Sequence, residues 1–194
     1  MFIIDKRTSK FNKAFDDVSF HIMPGETLGL VGESGCGKST LGRCIARLYQ
    51  PTAGSIKFEG NEITGLGSRA LMPYRQHIQM IFQDPMTSLN PTMTIGDQIS
   101  ETLMVHRGMS YREASKKAVE LLAKTHIPEA EKRAKQYPFE YSGGMLQRAM
   151  IAQSLACNPT ILIADEPTTA LDVTIQAQIL ELMSELQRSE GMSI

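Results

Sequence analysis

The stretch Gly32-Glu33-Ser34-Gly35-Cys36-Gly37-Lys38-Ser39 decides how the rest of the sequence is interpreted. It fits the pattern G-x-x-x-x-G-K-[ST], in which glycines let backbone N–H groups turn inward toward phosphate oxygens. Lys38 adds a cation for the outer phosphates, the next helix adds the positive end of its dipole, and Ser39 can place its hydroxyl on Mg²⁺. The stretch predicts a phosphate-binding loop. Its predicted nucleotide contacts are Gly32, Ser34, Gly35, Cys36, Gly37, Lys38, Ser39 and Thr40.

The loop lies between a predicted strand and a predicted helix, which is the context that the motif requires. Residues 17–22 alternate apolar and polar side chains, and residues 27–31 form a short apolar run, so we predict a strand, a turn and a buried strand. Residues 38–48 carry apolar side chains at helical spacing before Pro51, and residues 54–60 alternate again. We therefore expect a helix and an edge-type strand after the loop.

The second half of the sequence alternates strand and helix patterns. Residues 78–82 and 160–164 are strand candidates, and residues 95–127 are helical in pattern, with a capping box at Ser110 and Glu113. Apolar side chains mark one face of each of two helices: Ala114, Ala118, Leu121 and Leu122 in one, and Ile175, Ile179, Leu182 and Leu186 in the other. This order predicts an α/β fold with a mainly parallel sheet and an inserted helical lobe.

Two adjacent acids follow the apolar run of residues 161–164. An apolar strand carries neighbouring carboxylates at low cost only when a cation compensates them. With the phosphate loop upstream, we predict that Asp165 holds Mg²⁺ and that Glu166 polarises the attacking water as a general base. The simpler alternative is a helix N-cap and a surface acid.

Ser142-Gly143-Gly144 comes directly before a helical pattern. A serine hydroxyl and two glycine amides at a helix N-terminus form a second candidate anion site, although the same residues could be only a capped helix start. Because the chain already has one phosphate loop, the pattern by itself leaves both interpretations open.

These motifs together resemble the ATP-binding cassettes of ABC transporters. The segment Tyr141-Ser142-Gly143-Gly144-Met145-Leu146-Gln147-Arg148 is similar to the signature sequence of that family, and the resemblance extends from residue 17 to residue 194. Gln83 stands in the position of the Q-loop glutamine, and Ala170-Leu171-Asp172 in that of the D-loop. Met145 and Tyr141 depart from the commonest form of the signature.

The resemblance implies a P-loop NTPase fold with an antiparallel β edge subdomain. It implies one domain over residues 1–194, with a RecA-like core and β subdomain in 1–94 and 158–194 and a helical subdomain in 95–157. Residues 192–194 look like the start of another strand, so we expect the C-terminal end of the fold, with the family's switch histidine, to be truncated.

The resemblance also implies which residues handle ATP and Mg²⁺. Glu166 and Gln83 would be catalytic, and Ser39, Gln83 and Asp165 would hold the metal. Ser142, Gly143 and Gly144 would close over the ATP of a second cassette, either a copy or a homologue. Phe11, with Phe2 as the alternative, would stack on adenine.

Residues 82–91, Phe-Gln-Asp-Pro-Met-Thr-Ser-Leu-Asn-Pro, are similar to the stretch found in peptide and nickel importers. We expect an ATPase subunit that powers import of oligopeptides or dipeptides, through transmembrane permease subunits and, indirectly, an extracytoplasmic substrate-binding protein. Import of nickel or another metal complex is one alternative. A soluble ABC ATPase that acts on nucleic acid is another.

Composition narrows the class of partner. The 20 Lys and Arg against 21 Asp and Glu give a formal charge of −1, without the basic excess of nucleic-acid binders, so we expect no nucleic acid partner. The sequence shows no apolar run long enough to cross a bilayer and no leader pattern. We therefore expect a peripheral protein on the cytoplasmic face of the membrane. Three cysteines and four scattered histidines support neither a disulfide framework nor a zinc site.

Overall fold

Two parallel strands lie at the centre of the fold. In this computed structural model, which describes residues 2–4, 11–169 and 171–194, with the backbone alone for 2–4 and 11–13, β5 (Ile78–Ile81) pairs with β6 (Ile161–Ala164). The register runs from Ile78 opposite Ile161 to Ile81 opposite Ala164, and Leu162 is fully buried. The strands predicted at residues 78–82 and 160–164 are confirmed. Their carboxyl ends therefore meet at one edge of the sheet.

The last residues of the chain extend this sheet, as the strand pattern near Met192 predicts. Ser193 forms a parallel bridge with Ile161, in which Leu162 N donates to Ser193 O and Ser193 N donates to Thr160 O, both at 2.9 Å. On the other side, Leu28 N donates to Ile194 O at 2.8 Å, and Ile194 N donates to Glu26 O at 2.9 Å. The segment that leads into the phosphate loop is thus attached to the parallel sheet through residues 193–194.

The strands predicted at residues 17–22 and 27–31 are wrong. Neither segment forms a strand, and the run expected to be buried is open to solvent, with Val31 at 95% exposure and Leu30 at 49%. An apolar run becomes a buried strand only when neighbours pair with it along its length. In the described part of the chain, the sheet pairs with this run only at Leu28, and with Glu26 just before it, through Ile194.

The helix after the phosphate loop, α1 (Lys38–Ile45), ends about one turn before the predicted end at residue 48. Arg47 takes a left-handed backbone conformation with φ of 55°, and its buried guanidinium donates to the carbonyl oxygens of Ile63 and Leu66. These bonds turn the chain away from the helix axis and tie it to the segment that follows.

Two antiparallel hairpins and a short helix form the edge of the fold. They are β1 (Phe2–Ile4) with β2 (Phe11–Lys13), β3 (Lys57–Phe58) with β4 (Asn61–Glu62), and α2 (Ser68–Arg75). The edge strand predicted at residues 54–60 is the first arm of the second hairpin. Phe58, Ile63, Leu71 and Ile78 form a small hydrophobic cluster that joins this edge to β5. The sequence analysis did not predict α2.

A group of helices is inserted between the two central strands. They are α3 (Pro85–Ser88), α4 (Ile95–Arg107), α5 (Tyr111–Lys124), α6 (Ala130–Arg133) and α7 (Gly143–Leu155), with a 3₁₀ turn at Pro138–Glu140. The capping box at Ser110 and Glu113 is present, and the four residues of the predicted apolar face of α5 are buried. The predicted helical insertion is confirmed.

One hydrophobic cluster joins the helical insertion to the sheet and to the last helix, α8 (Val173–Glu190). It includes Ile99 of α4, Ile151 of α7, Leu162 of β6 and Ile179 of α8, each at most 1% exposed. The division into residues 95–157 and the remainder stays a proposal, since both parts share this cluster. No helix of the described residues is long and apolar enough to cross a membrane.

Leu162 tests whether β6 is the centre of this cluster. We expect Leu162→Ala to lower the free energy of unfolding by about 3 kcal/mol, because it removes a fully buried side chain and leaves a cavity. Leu180→Ala on α8 is the control, since Leu180 is 54% exposed and should change stability by roughly 0.5 kcal/mol or less. Equal losses in urea titrations of the two variants would contradict the placement of the core.

Candidate functional site

The phosphate-loop residues 32–37 lead directly into α1, and glycine is required at the point of entry. Gly35 and Gly37 have φ of 78° and 98°, in the left-handed region that glycine adopts without strain. A Cβ on Gly37 would also lie 2.1 Å from the carbonyl oxygen of Ala14, so no other residue fits. The loop is exposed from Gly32 to Cys36, as a ligand-binding loop must be.

Lys38 turns back over this loop. Its Nζ donates to the carbonyl oxygens of Gly32 and Glu33, both at 2.8 Å, and lies 3.8 Å from Cys36 Sγ. The ammonium group is therefore held at the loop by neutral backbone acceptors. A phosphate, whose oxygens are anionic, is a stronger partner for an ammonium than either carbonyl, so the contact can be exchanged.

Ser39 meets Asp165 across the fold. Its Oγ donates to Asp165 Oδ1 at 2.7 Å, although the two residues are 126 positions apart in sequence. Gly42 faces the central strands closely, because a Cβ at that position would lie 3.3 Å from Ile163 Cγ2 and 3.6 Å from Met80 Cε. The first helix thus packs closely on both central strands, and this packing brings the hydroxyl to the carboxylate.

The second oxygen of Asp165 is the feature of this site that best fits a cation ligand. Asp165 is only 7% exposed, its N–H continues the ladder by donating to Ile81 O, and Oδ2 is buried without a hydrogen-bond partner in the described part of the chain. A buried, unpaired carboxylate oxygen is costly. A cation that prefers oxygen ligands, bound next to Oδ2, would remove that cost.

The oxygen ligands fit Mg²⁺. This ion usually binds one or two protein side chains and completes its octahedral shell with water and substrate phosphates. Ser39 and Asp165 offer one hydroxyl and one carboxylate, and the residues described include no group of three or more His, Cys, Asp or Glu that could form a complete cage. Gln83, the third predicted metal ligand, donates to Glu166 Oε2, and its contact with a metal stays a prediction.

Glu166 and Gln83 lie together where the two central strands end. Gln83 Nε2 donates to Glu166 Oε2 at 3.0 Å, and Thr169 Oγ1 donates to the same oxygen, also at 3.0 Å. Glu166 has φ of 47°, a conformation that costs a non-glycine residue roughly 1–3 kcal/mol and is common at functional sites. Thr169 was not among the predicted site residues, and its only signal in the sequence is its position three residues after Glu166.

The signature segment, residues 141–148, lies beside the start of α8. Ser142 is the N-cap of α7, and its Oγ accepts from Met145 N at 3.4 Å. Tyr141 before it is buried and donates from its hydroxyl to Arg133 O, and burial raises the pKa of this tyrosine to about 12. The capped helix start is confirmed, and the contact with a nucleotide stays a prediction.

Three predicted residues are described in part or not at all. The side chain of Phe11 is not among the described atoms, so its contact with adenine stays a prediction, as does the alternative at Phe2. Ala170, the first residue of the predicted D-loop, is also outside the described residues, while Leu171 and Asp172 are within them.

Comparison with known proteins decides the family. Residues 15–169 match the sequence profile of the ABC transporter family. The chain belongs to the ABC transporter family. The oligopeptide transport ATP-binding proteins OppD of Bacillus subtilis and Salmonella typhimurium are 53% and 52% identical to it, over 188 and 185 residues. These matches cover 94% and 93% of this chain but only 52% and 55% of the relatives, so the chain spans about half of their length.

Solved structures of ABC cassettes have the same fold. A dimeric, post-hydrolysis structure of the ATP-binding cassette MJ0796 with ADP and Pi bound superimposes with a TM-score of 0.87 at 32% identity. The match covers 99% of this chain and 82% of that one. The predicted P-loop NTPase fold is confirmed.

Replacing Lys38 tests the phosphate loop of this cassette. We expect Lys38→Ala to lower MgATP affinity by at least about tenfold, because the triphosphate would retain only backbone donors. Lys57→Ala, on the exposed edge hairpin, is the control. Affinities measured by calorimetric titration that are equal in Lys38→Ala and the unchanged chain would contradict the assignment.

Cys36 offers a second test, because it is the exposed cysteine of the three. Burial raises the pKa of the Cys44 and Cys157 thiols, which makes both less reactive. We expect a maleimide to label Cys36 first, to block MgATP binding and to be excluded by bound MgATP. Mass spectrometry locates the label, and full binding by a chain labelled at Cys36 would show that the thiol lies outside the ligand's space.

Proposed function

We propose that this chain is the ATP-binding and ATP-hydrolysing subunit of an importer for oligopeptides or dipeptides. The observation that carries the proposal is the contact of Ser39 with Asp165, which leaves a buried carboxylate oxygen beside the phosphate loop. Two relatives at 52–53% identity are named oligopeptide transport ATP-binding proteins, which supports the choice of cargo.

Hydrolysis follows from the groups at the ends of the two strands. The loop amides and Lys38 hold the phosphates, and Ser39 and Asp165 would hold Mg²⁺, which when bound neutralises charge on the β and γ phosphates. Both side-chain donors to Glu166 bond its Oε2, which leaves Oε1 to accept a hydrogen bond from water. Water then attacks the γ-phosphorus, its proton passes to the carboxylate, and the bond from the γ-phosphorus to the bridging oxygen of ADP breaks.

Gln83 gives the site a connection to the helical insertion. It follows β5, bonds Glu166 and stands directly before Asp84, whose carboxylate caps α3 by accepting from Met86 N at 2.9 Å. A change in the γ-phosphate that moved Glu166 would therefore also move the start of the insertion. We infer that this insertion faces the transmembrane permease, with the cassette held on the cytoplasmic face of the membrane.

A second cassette would complete the site. The signature segment lies beside the start of α8, where Gly143 faces Leu171 and Gly144 faces Ile175, and we infer that its Ser142 hydroxyl and glycine amides serve a nucleotide held by another cassette. The dimeric form of MJ0796 supports such a pair. The partner would be a copy of this chain or a homologous cassette.

The two acids should fail differently when changed. Glu166→Gln keeps the shape of the side chain and leaves Ser39 and Asp165 unchanged, so the variant should bind MgATP normally. Its rate of ATP hydrolysis, measured with a second cassette present, should fall by at least about 100-fold. Asp165→Asn should weaken binding only when Mg²⁺ is present, because it removes the charge that holds the metal. Glu181→Gln on the exposed face of α8 is the control.

Phosphate release and nucleotide titrations with and without Mg²⁺ distinguish these outcomes. A Glu166→Gln variant that turns over at the rate of the unchanged protein would remove its role as base. Recovery of the protein with nucleic acid instead of membranes after gentle lysis would contradict the transport assignment while leaving the ATP site intact.

A further inference from the structure

Gly144, in the first turn of α7, lies directly against Ile175, in the first turn of α8. A Cβ built on Gly144 would lie 2.8 Å from Ile175 Cγ2, well inside the distance of about 3.5–4.0 Å at which carbon atoms attract. Gly143, one residue earlier, differs, because its Cβ would lie 3.5 Å from Leu171 Cδ2, an ordinary contact. The two signature glycines therefore have different steric surroundings within their own chain.

Ile175 cannot easily move aside. Its Cγ2 is attached directly to Cβ, and a β-branched side chain in a helix has essentially one favoured χ1 rotamer. Its backbone N–H donates to Asp172 Oδ1 at 3.0 Å, the N-cap bond of α8, and its side chain packs against the main hydrophobic cluster. The contact with Gly144 is thus made by a rigid group on a fixed helix turn.

The same helix turn is connected to Glu166. Thr169 bonds the carboxylate of Glu166, Leu171 N donates to Thr168 O at 3.1 Å, and Gln176 Nε2 donates to Leu171 O at 2.9 Å. A short series of contacts therefore runs from the candidate base, through the segment before α8, to the start of α7.

We propose that Ile175 is a positioning residue that sets the location of Ser142, Gly143 and Gly144 relative to Glu166 in the same chain. In a pair of cassettes, the signature segment of each chain would contact the nucleotide held by the other chain. The contact of Ile175 with Gly144 would then fix the position of one chain's signature segment relative to its own Glu166. That consequence rests on the proposed function, whereas the contact itself does not.

The first test is the sign of a stability change. Alanine is favoured over glycine in a helix, so without the contact Gly144→Ala would raise the melting temperature. With Ile175 present we expect Gly144→Ala to lower it by about 3 °C or more. In an Ile175→Ala background the same substitution should raise it, because Cγ2 is gone. Gly143→Ala is the matched control and should not lower it.

The second test separates positioning from stability. Glu166→Gln chains are titrated with MgATP, and their association is followed by analytical ultracentrifugation. Ile175→Ala should weaken this association by about tenfold while MgATP affinity at low protein concentration stays within about twofold. Val173→Ala is the control. It also truncates a β-branched side chain of the same helix, but at a position that is 81% exposed, so it should change neither quantity.

A Gly144→Ala variant that is more stable with Ile175 present would overturn the contact. Unchanged association in Ile175→Ala would overturn the positioning role. If the Glu166→Gln chain remains monomeric in MgATP, self-pairing under the proposed function fails, and the melting series still decides whether Ile175 restrains Gly144.

Discussion

The hydrogen bond from Ser39 to Asp165 is the constraint on which the rest of the structure depends. It joins the helix after the phosphate loop to the end of β6, and Gly42 lies beside it, where an added Cβ would be 3.3 Å from Ile163 Cγ2. The bond uses one carboxylate oxygen and leaves the other buried without a partner. The proposed Mg²⁺ would compensate this oxygen, which is why the Ser39–Asp165 pair is the centre of the proposed ATP site.

Close approach at glycine occurs at three places around the site. Gly37 lies against the Ala14 carbonyl oxygen, Gly42 against the central strands, and Gly144 against Ile175. A Cβ would force a shift at Gly37 and Gly144, where it would lie 2.1 and 2.8 Å from its neighbour, and would be tight at Gly42. Glycine at these positions lets segments that are distant in sequence pack closely. The strained backbone of Glu166 is held by the hydrogen bonds of its carboxylate with Gln83 and Thr169.

The sequence predicts best the features that local chemistry determines. The phosphate loop, the capping box at Ser110 and the serine cap at Ser142 were predictable because each depends on residues a few positions apart. The exposure of residues 27–31 could not be predicted, since burial of an apolar run depends on neighbouring strands. The hydrogen bond from Thr169 to Glu166 could not be predicted either, because no motif requires it.

A crystal structure of the chain with Mg²⁺ and a non-hydrolysable ATP analogue would show whether Ser39 and Asp165 hold the metal. We expect Mg²⁺ bound by Ser39 Oγ and next to Asp165 Oδ2, at about 2.1 Å for direct ligands. We also expect Lys38 Nζ to leave the carbonyl oxygens of Gly32 and Glu33 for the phosphates. A nucleotide bound elsewhere, with the bonds of Lys38 and Ser39 unchanged, would contradict this assignment.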